Sequence, residues 1–179
     1  MEEKSKKTDK KINLREIARL AVFLAFALIL SLLENMLPPI VPVLPYAKIG
    51  LSNIVVFGVF IIADVKQGLV VLVLKCVLAA LFSGNIGMLM YSLPAAAVSY
   101  TAIILLYKTK FFGIPALSAA GGILHNLTQL AVAAAIIGPG VFIYFPYLLL
   151  AGAAAGLATG TALFFTIKYI PMKALVYKA

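Results

Sequence analysis

The sequence contains no tryptophan, a single cysteine and only six acidic residues. The lone cysteine, Cys76, can neither form an internal disulfide nor build a metal cluster. The only aspartates, Asp9 and Asp64, lie far apart, so the clustered carboxylates that hold magnesium in diphosphate chemistry are missing. No phosphate-binding GxxxxGK[ST] loop and no HExxH motif occur. These absences argue against an enzyme, and we expect no metal and no cofactor.

Apolar residues dominate what is present. The 179 residues are 64% hydrophobic and 12% charged, with a mean hydropathy of +1.10. A soluble domain of this length needs far more polar surface, so the composition predicts an all-α integral membrane protein. Six apolar runs predict transmembrane helices near residues 17–37, 48–63, 68–82, 87–107, 114–137 and 142–169. Four prolines in residues 38–45 exclude a helix there and predict an outer loop folded over the bundle.

The net charge of +9 is distributed as in a membrane protein rather than a nucleic-acid binder. Seven of the fifteen basic residues precede position 20, and six more fall in segments on the same side of the predicted helices. This asymmetry predicts that both termini are cytoplasmic. We therefore expect a basic tail over residues 1–16, a six-helix domain over 17–170 and a second tail over 171–179.

The two remaining basic residues are the candidates for binding. Lys75 lies in the middle of the third predicted span, where a charge is costly unless it faces a protein interior, a cavity or a ligand. It could form an ion pair with Glu34 or meet an anionic ligand. Lys48 and Asn53 begin the second predicted span, just after the proline-rich loop, and could line the same outward-facing pocket.

A polar cluster interrupts the fifth predicted span. His125, Asn126 and Gln129 fall within five positions of an apolar helix. Imidazole and amide groups can recognise the donors and acceptors of a ligand, although the same groups can also hold helices together. Three of them so close together favour a binding site.

Small residues mark one face of the first predicted span. Ala21 and Ala25 are four residues apart, and Ala18 and Ser31 are expected to continue the stripe. Such faces allow another helix to approach closely, either within the same bundle or in a partner protein.

Three motifs together resemble one bacterial family, the Gx transporter family, also called heptaprenyl diphosphate synthase component I. The resemblance covers about residues 15–170. It rests on Lys48-x-Gly50-Leu51-Ser52-Asn53, on the basic Lys75, and on Gly122-x-x-His125-Asn126-x-x-Gln129.

That family is similar to the substrate-binding S components of energy-coupling-factor (ECF) transporters of the bacterial plasma membrane. The resemblance implies six helices and an outer pocket roofed by the first outer loop, here residues 38–46. It also implies a transmembrane T component, docked on Ala21-x-x-x-Ala25, and two ATPase subunits. The synthase name does not imply prenyl transfer, because this chain has no aspartate pair.

The predicted function is capture of a small anionic metabolite, partly hydrophobic or aromatic, such as a quinone or isoprenoid precursor, without catalysis. The alternative is a membrane subunit that anchors a soluble polyprenyl diphosphate synthase. A membrane-embedded enzyme would have only His125 as a catalyst. The predicted pocket residues are Lys48, Asn53, Lys75, His125, Asn126 and Gln129.

Overall fold

The computed structural model describes residues 14–38 and 48–169. These two ranges contain helices and turns and no strand. The helices are α1 (Leu14–Met36), α2 (Asn53–Ile62), α3 (Val65–Phe82), α4 (Gly87–Thr109), α5 (Ile114–Ile137) and α6 (Phe145–Tyr169), with a 3-10 helix (Pro139–Tyr144) before α6. Residues 1–13 of the first expected tail, the second expected tail and most of the proline-rich loop lie outside the described residues, whereas residues 14–16 already belong to α1.

Five segments of this bundle are long and apolar enough to cross a membrane: α1, α3, α4, α5 and the segment from the 3-10 helix through α6. The chain therefore has the form of a multi-pass membrane protein. Helix α2, predicted over 48–63, begins only at Asn53 and has ten residues. It is about 15 Å long, half of a hydrocarbon core of about 30 Å. The second predicted span is thus a half-length helix, preceded by non-helical backbone.

Two side-chain contacts align α1 with the hairpin that α2 and α3 form. At the end of the bundle that holds the α2–α3 turn, Gln67 donates a hydrogen bond to Glu16. At the opposite end, Asn35 Nδ2 donates to Ser83 Oγ over 2.6 Å. Helix α1 is otherwise peripheral, because only Ala27, Ser31 and Glu34 among its residues are buried.

Glycines set the spacing between α5 and α6, where residues 151–160 of α6 are rich in glycine and alanine. A methyl group at Gly156 would lie 2.5 Å from the Ser118 carbonyl oxygen, and one at Gly152 would lie 2.6 Å from the Gly122 carbonyl oxygen. Close backbone approach of this kind is the usual basis of helix association in membranes. Helices α5 and α6 therefore form a tight pair, and α4 packs on α5 beside them.

Candidate functional site

The α2–α3 hairpin positions the buried lysine. Asp64 caps α3 by accepting a hydrogen bond from Gln67 N over 2.6 Å. Asn53 and Lys75 stand eleven residues before and after Asp64. Because the two helices run antiparallel from that turn, the two residues reach the same level, about 16 Å from it. That distance is about half the thickness of a hydrocarbon core of about 30 Å.

Lys75 is 4% exposed and is held by the first residues of α2. Its Nζ donates to Ser52 Oγ over 2.7 Å and to Asn53 Oδ1 over 2.6 Å. A buried charge requires such partners, since burial without them is costly. An ammonium group carries three hydrogens, so one donor remains beyond these two contacts.

His125 lies between two amides whose orientations are fixed elsewhere. Asn53 Oδ1 accepts a hydrogen bond from Lys75 Nζ, and Asn53 Nδ2 lies 3.2 Å from His125 Nδ1. Gln129 accepts from Lys48 N over 3.0 Å and turns its Nε2 toward His125 Nε2, 3.2 Å away. A neutral imidazole accepts at one nitrogen only. One of the two amide NH₂ groups therefore faces an imidazole N–H, and the described backbone partner of the imidazole is Ala95 on α4.

Glu34 forms no ion pair with Lys75. The sequence leaves that ion pair open as an alternative to an anionic ligand. Glu34 Oε1 accepts from Gly50 N over 2.5 Å. No hydrogen bond or ion pair joins Glu34 to a lysine within the described ranges. The contact instead ties α1 to the non-helical residues 48–52. Irregular backbone at membrane depth is tolerated where protein groups satisfy it, as Glu34 and Gln129 do here.

Several of these groups line a cavity of about 20 Å³. That volume holds about one water molecule. The described lining includes Glu34, Lys48, Lys75 and His125, together with Ser31, Gly50, Ser52, Cys76, Ala79, Ala80, Met88 and Ser92. Two lysines and one glutamate therefore face the same small volume. No described group of three or more His, Cys, Asp or Glu residues could hold a metal ion.

Gly50 closes the cluster from the side of α2. Its φ is +84°, in the left-handed region that favours glycine. A methyl group there would lie 2.9 Å from Asn53 Nδ2 and 3.1 Å from His125 Cδ2. Only a glycine combines this backbone conformation with this contact distance. Beyond Gly50, a second cavity of about 20 Å³ lies between α2, α4, α5 and α6.

The structure brings together five of the six predicted pocket residues: Lys48, Asn53, Lys75, His125 and Gln129. Asn126 is fully buried but faces α6, where its Nδ2 donates to Leu148 O over 3.0 Å. This hydrogen bond joins α5 to α6. Ser52, Gly50 and Glu34 were not among the residues predicted for the pocket. Gly50 and Ser52 belong to the Lys48-x-Gly50-Leu51-Ser52-Asn53 motif, which could have indicated them.

The predicted partner-docking residues lie away from this site. Ala21 and Ala25 are exposed on α1 and take no part in the buried core. Ser31, expected on the same stripe, is buried and lines the cavity. Six residues separate it from Ala25, and at about 100° per residue that places it on another face of the helix. The stripe of small residues is therefore limited to Ala18, Ala21 and Ala25.

Comparison with known proteins gives a family. No curated protein and no solved structure matches the chain. The family described as heptaprenyl diphosphate synthase component I matches residues 23–166, which include all of α2 to α5 and most of α1 and α6. By its description the family is one component of a synthase. Because the match covers most of the sequence, the chain belongs to the heptaprenyl diphosphate synthase component I family.

Proposed function

We propose that this chain is a substrate-binding membrane subunit of an ECF-like importer, which captures a small anionic metabolite in the buried cluster. The observation that carries this proposal is the surplus of hydrogen-bond donors at membrane depth. Lys75 retains an unused donor, and the Lys48 ammonium makes no hydrogen bond within residues 14–38 and 48–169, where the opposite charge acting on it is the Glu34 carboxylate in the same cavity. Ionisable groups inside a membrane protein commonly mark a path or site for a polar ligand.

The half-length helix supports the same function. Asn53 begins α2 at mid-depth, so the positive end of the helix dipole points into the cluster. Discontinuous helices of this kind form ligand sites in many transporters. The cavity is too small for a metabolite, so binding requires residues 48–52 to move away from Glu34 and Gln129. Three hydrogen bonds hold that segment to α1, α3 and α5, and a movement that admits a ligand must break those to Glu34 and Gln129.

The exposed alanines of α1 fit the importer proposal. A small-residue face directed away from the bundle can receive a helix of a T component, to which two ATPase subunits would supply energy. The positive-inside pattern would place both termini in the cytoplasm of a bacterial cell. An aromatic carboxylate or a prenyl phosphate combines the negative charge and the apolar part that the site would accept.

Ligand retention tests this proposal. The protein is purified in mild detergent, and native mass spectrometry with solvent extraction compares the wild type with Lys75→Met and with Lys108→Met. We expect the wild type and Lys108→Met to carry the same small anion and Lys75→Met to lose it while staying folded. Lys108 is the matched control, because it is exposed at the end of α4. An empty wild type that also takes up no anion would refute the proposal.

The family description favours a second candidate, a non-catalytic membrane component that anchors a soluble polyprenyl diphosphate synthase. In that case the buried polar cluster serves only to hold the bundle together. Affinity purification from a bacterium that encodes the chain separates the two. Recovery of a synthase with the chain, without ATPases and a T component, would support the anchor.

A further inference from the structure

One oxygen of Glu34 is left over in the buried cluster. The residue is 7% exposed, and its Oε1 is used by Gly50 N. Its Oε2 is buried and has no hydrogen-bond partner within the described ranges. Buried carboxylate oxygens are rarely left in this state, because loss of water without a replacement donor is costly.

The unmatched oxygen shares its cavity with both lysines of the site. Glu34, Lys48 and Lys75 all line the same volume, but neither ammonium is bonded to the carboxylate. Within the described residues, the cavity therefore contains ammonium hydrogens without an acceptor and a carboxylate oxygen without a donor. The lysines can receive an anion, whereas Glu34 can receive only a hydrogen-bond donor or a cation.

A ligand whose only polar group is an anion would bind the lysines but not Glu34. Its acidic group would bind the lysines, but its remaining atoms would leave Glu34 unmatched, and its charge would be repelled by that carboxylate. An acid with a separate hydroxyl or amino group would bind both the lysines and Glu34. Such a group could donate to Glu34 Oε2 while the acidic group contacts Lys75.

Building on the proposed binding function, we infer that the ligand is a bifunctional acid, with one anionic group for the lysines and one hydroxyl or amine for Glu34. The Glu34 carboxylate, which accepts a hydrogen bond from Gly50 N, would then also accept one from the donor group of the ligand. Binding sites built around a buried polar group discriminate strongly against analogues that lack its partner.

The first test identifies the extracted ligand. Fragmentation mass spectrometry of the small molecule from purified wild-type protein should find both an acidic group and a hydroxyl or amine. An acid without either donor would overturn the inference and leave the proposed function standing. If no ligand is extracted and no acid binds in the assay below, both the proposed function and the inference fail.

The second test uses defined probes: benzoate, 4-hydroxybenzoate and 4-aminobenzoate. Binding is measured as protection of the single cysteine, Cys76, from a small thiol reagent, because Cys76 lines the same cavity. The wild type should bind the donor-bearing acids roughly 10- to 100-fold more tightly than benzoate, since a hydrogen bond to a charged group has that effect. Equal affinity for all three would overturn the inference.

Glu34→Gln tests the assigned group. Glutamine keeps an oxygen for Gly50 N and replaces Oε2 by an NH₂ donor. The preference for 4-hydroxybenzoate over benzoate should fall to about onefold, and a preference that persists would show that Glu34 does not read the donor. Leu33→Ala, at an exposed neighbouring position of α1, is the control and should keep the wild-type preference. Elution as a single species establishes that each variant is folded.

Discussion

Lys75 Nζ lies 2.6 Å from Asn53 Oδ1, and each residue is eleven positions from Asp64, on opposite sides of the turn. The contact follows from the geometry of a helical hairpin, in which residues equally distant from the turn reach the same height. It joins the start of α2 to the middle of α3 and brings the polar end of a half-length helix against the buried charge.

A double-mutant cycle measures how strongly these two residues interact. Asn53→Leu leaves the Lys75 charge with one acceptor fewer, so we expect it to lower the free energy of unfolding by about 2–3 kcal/mol. In the Lys75→Met background the same change should cost less, with a coupling energy of about 1–3 kcal/mol. Unfolding in detergent, followed by circular dichroism, gives the four free energies.

Asn126→Leu is the matched control for that cycle. Asn126 is a buried amide and Asn53 a partly buried one, but Asn126 bonds Leu148 O on α6 and makes no hydrogen bond to Lys75. Its effect should therefore add to that of Lys75→Met within about 0.5 kcal/mol. Equal coupling in both cycles would mean that the Asn53–Lys75 hydrogen bond is not specific.

Much of the site could be predicted from sequence, because polar residues in an apolar helix must face inward. That argument selected Lys75, His125 and Gln129, which the structure places in one network. Asn126, which the same argument selected, lies outside that network and bonds Leu148 O instead. Successive helical residues point about 100° apart, so Asn126 faces α6 while His125 faces α2.

The start of α2 could not be predicted from composition. Residues 48–52 contain Ile49 and Leu51 and continue the apolar run, so they resemble the helix that follows. Their backbone is instead fixed by Glu34 and Gln129, which are distant in sequence. Contacts of this kind override local helix preference. Gly50 and Ser52 indicate an unusual segment but do not identify its distant partners.

Gly50→Ala should disrupt the site more than its backbone alone explains. A non-glycine residue in the left-handed region costs about 1–2 kcal/mol, and the added methyl group would press on Asn53 and His125. Crowding of this kind adds about 1–3 kcal/mol. Thermal and chemical unfolding of the purified variant measure the sum.

Gly84→Ala separates the two contributions. Gly84 has a φ of +63°, and a methyl group there would meet nothing within 4 Å. It should therefore show only the backbone cost and keep the bound anion, whereas Gly50→Ala loses it. If both alanine variants unfold alike and retain ligand alike, Gly50 has no role beyond its turn.

Gly156→Ala tests the close packing of α5 and α6. The methyl group would lie 2.6 Å from Ala119 Cα, so the helices must separate. We expect a loss of about 1–3 kcal/mol in the free energy of unfolding. Gly140→Ala is the control, since a methyl group there meets nothing within 4 Å and its φ is not in the left-handed region. Equal stability of the two variants would argue against the glycine contact.

The Glu34–Gly50 hydrogen bond should control access to the cavity. Cys76 is buried beside it, so its thiol should react with a small maleimide far more slowly in the native protein than after unfolding. Glu34→Ala removes the acceptor of Gly50 N and frees residues 48–52 on the side of α1. Because a hydrogen bond to a charged group is lost, we expect the labelling rate to rise roughly 10-fold.

Glu34→Gln is the control for access, because glutamine still offers an oxygen to Gly50 N and should leave the labelling rate near that of the wild type. A rise with alanine but not with glutamine assigns the effect to the hydrogen bond rather than to the charge. If both variants label Cys76 equally fast, the carboxylate charge restrains the segment. If neither does, the cavity opens elsewhere, and residues 48–52 are not the route by which a ligand enters.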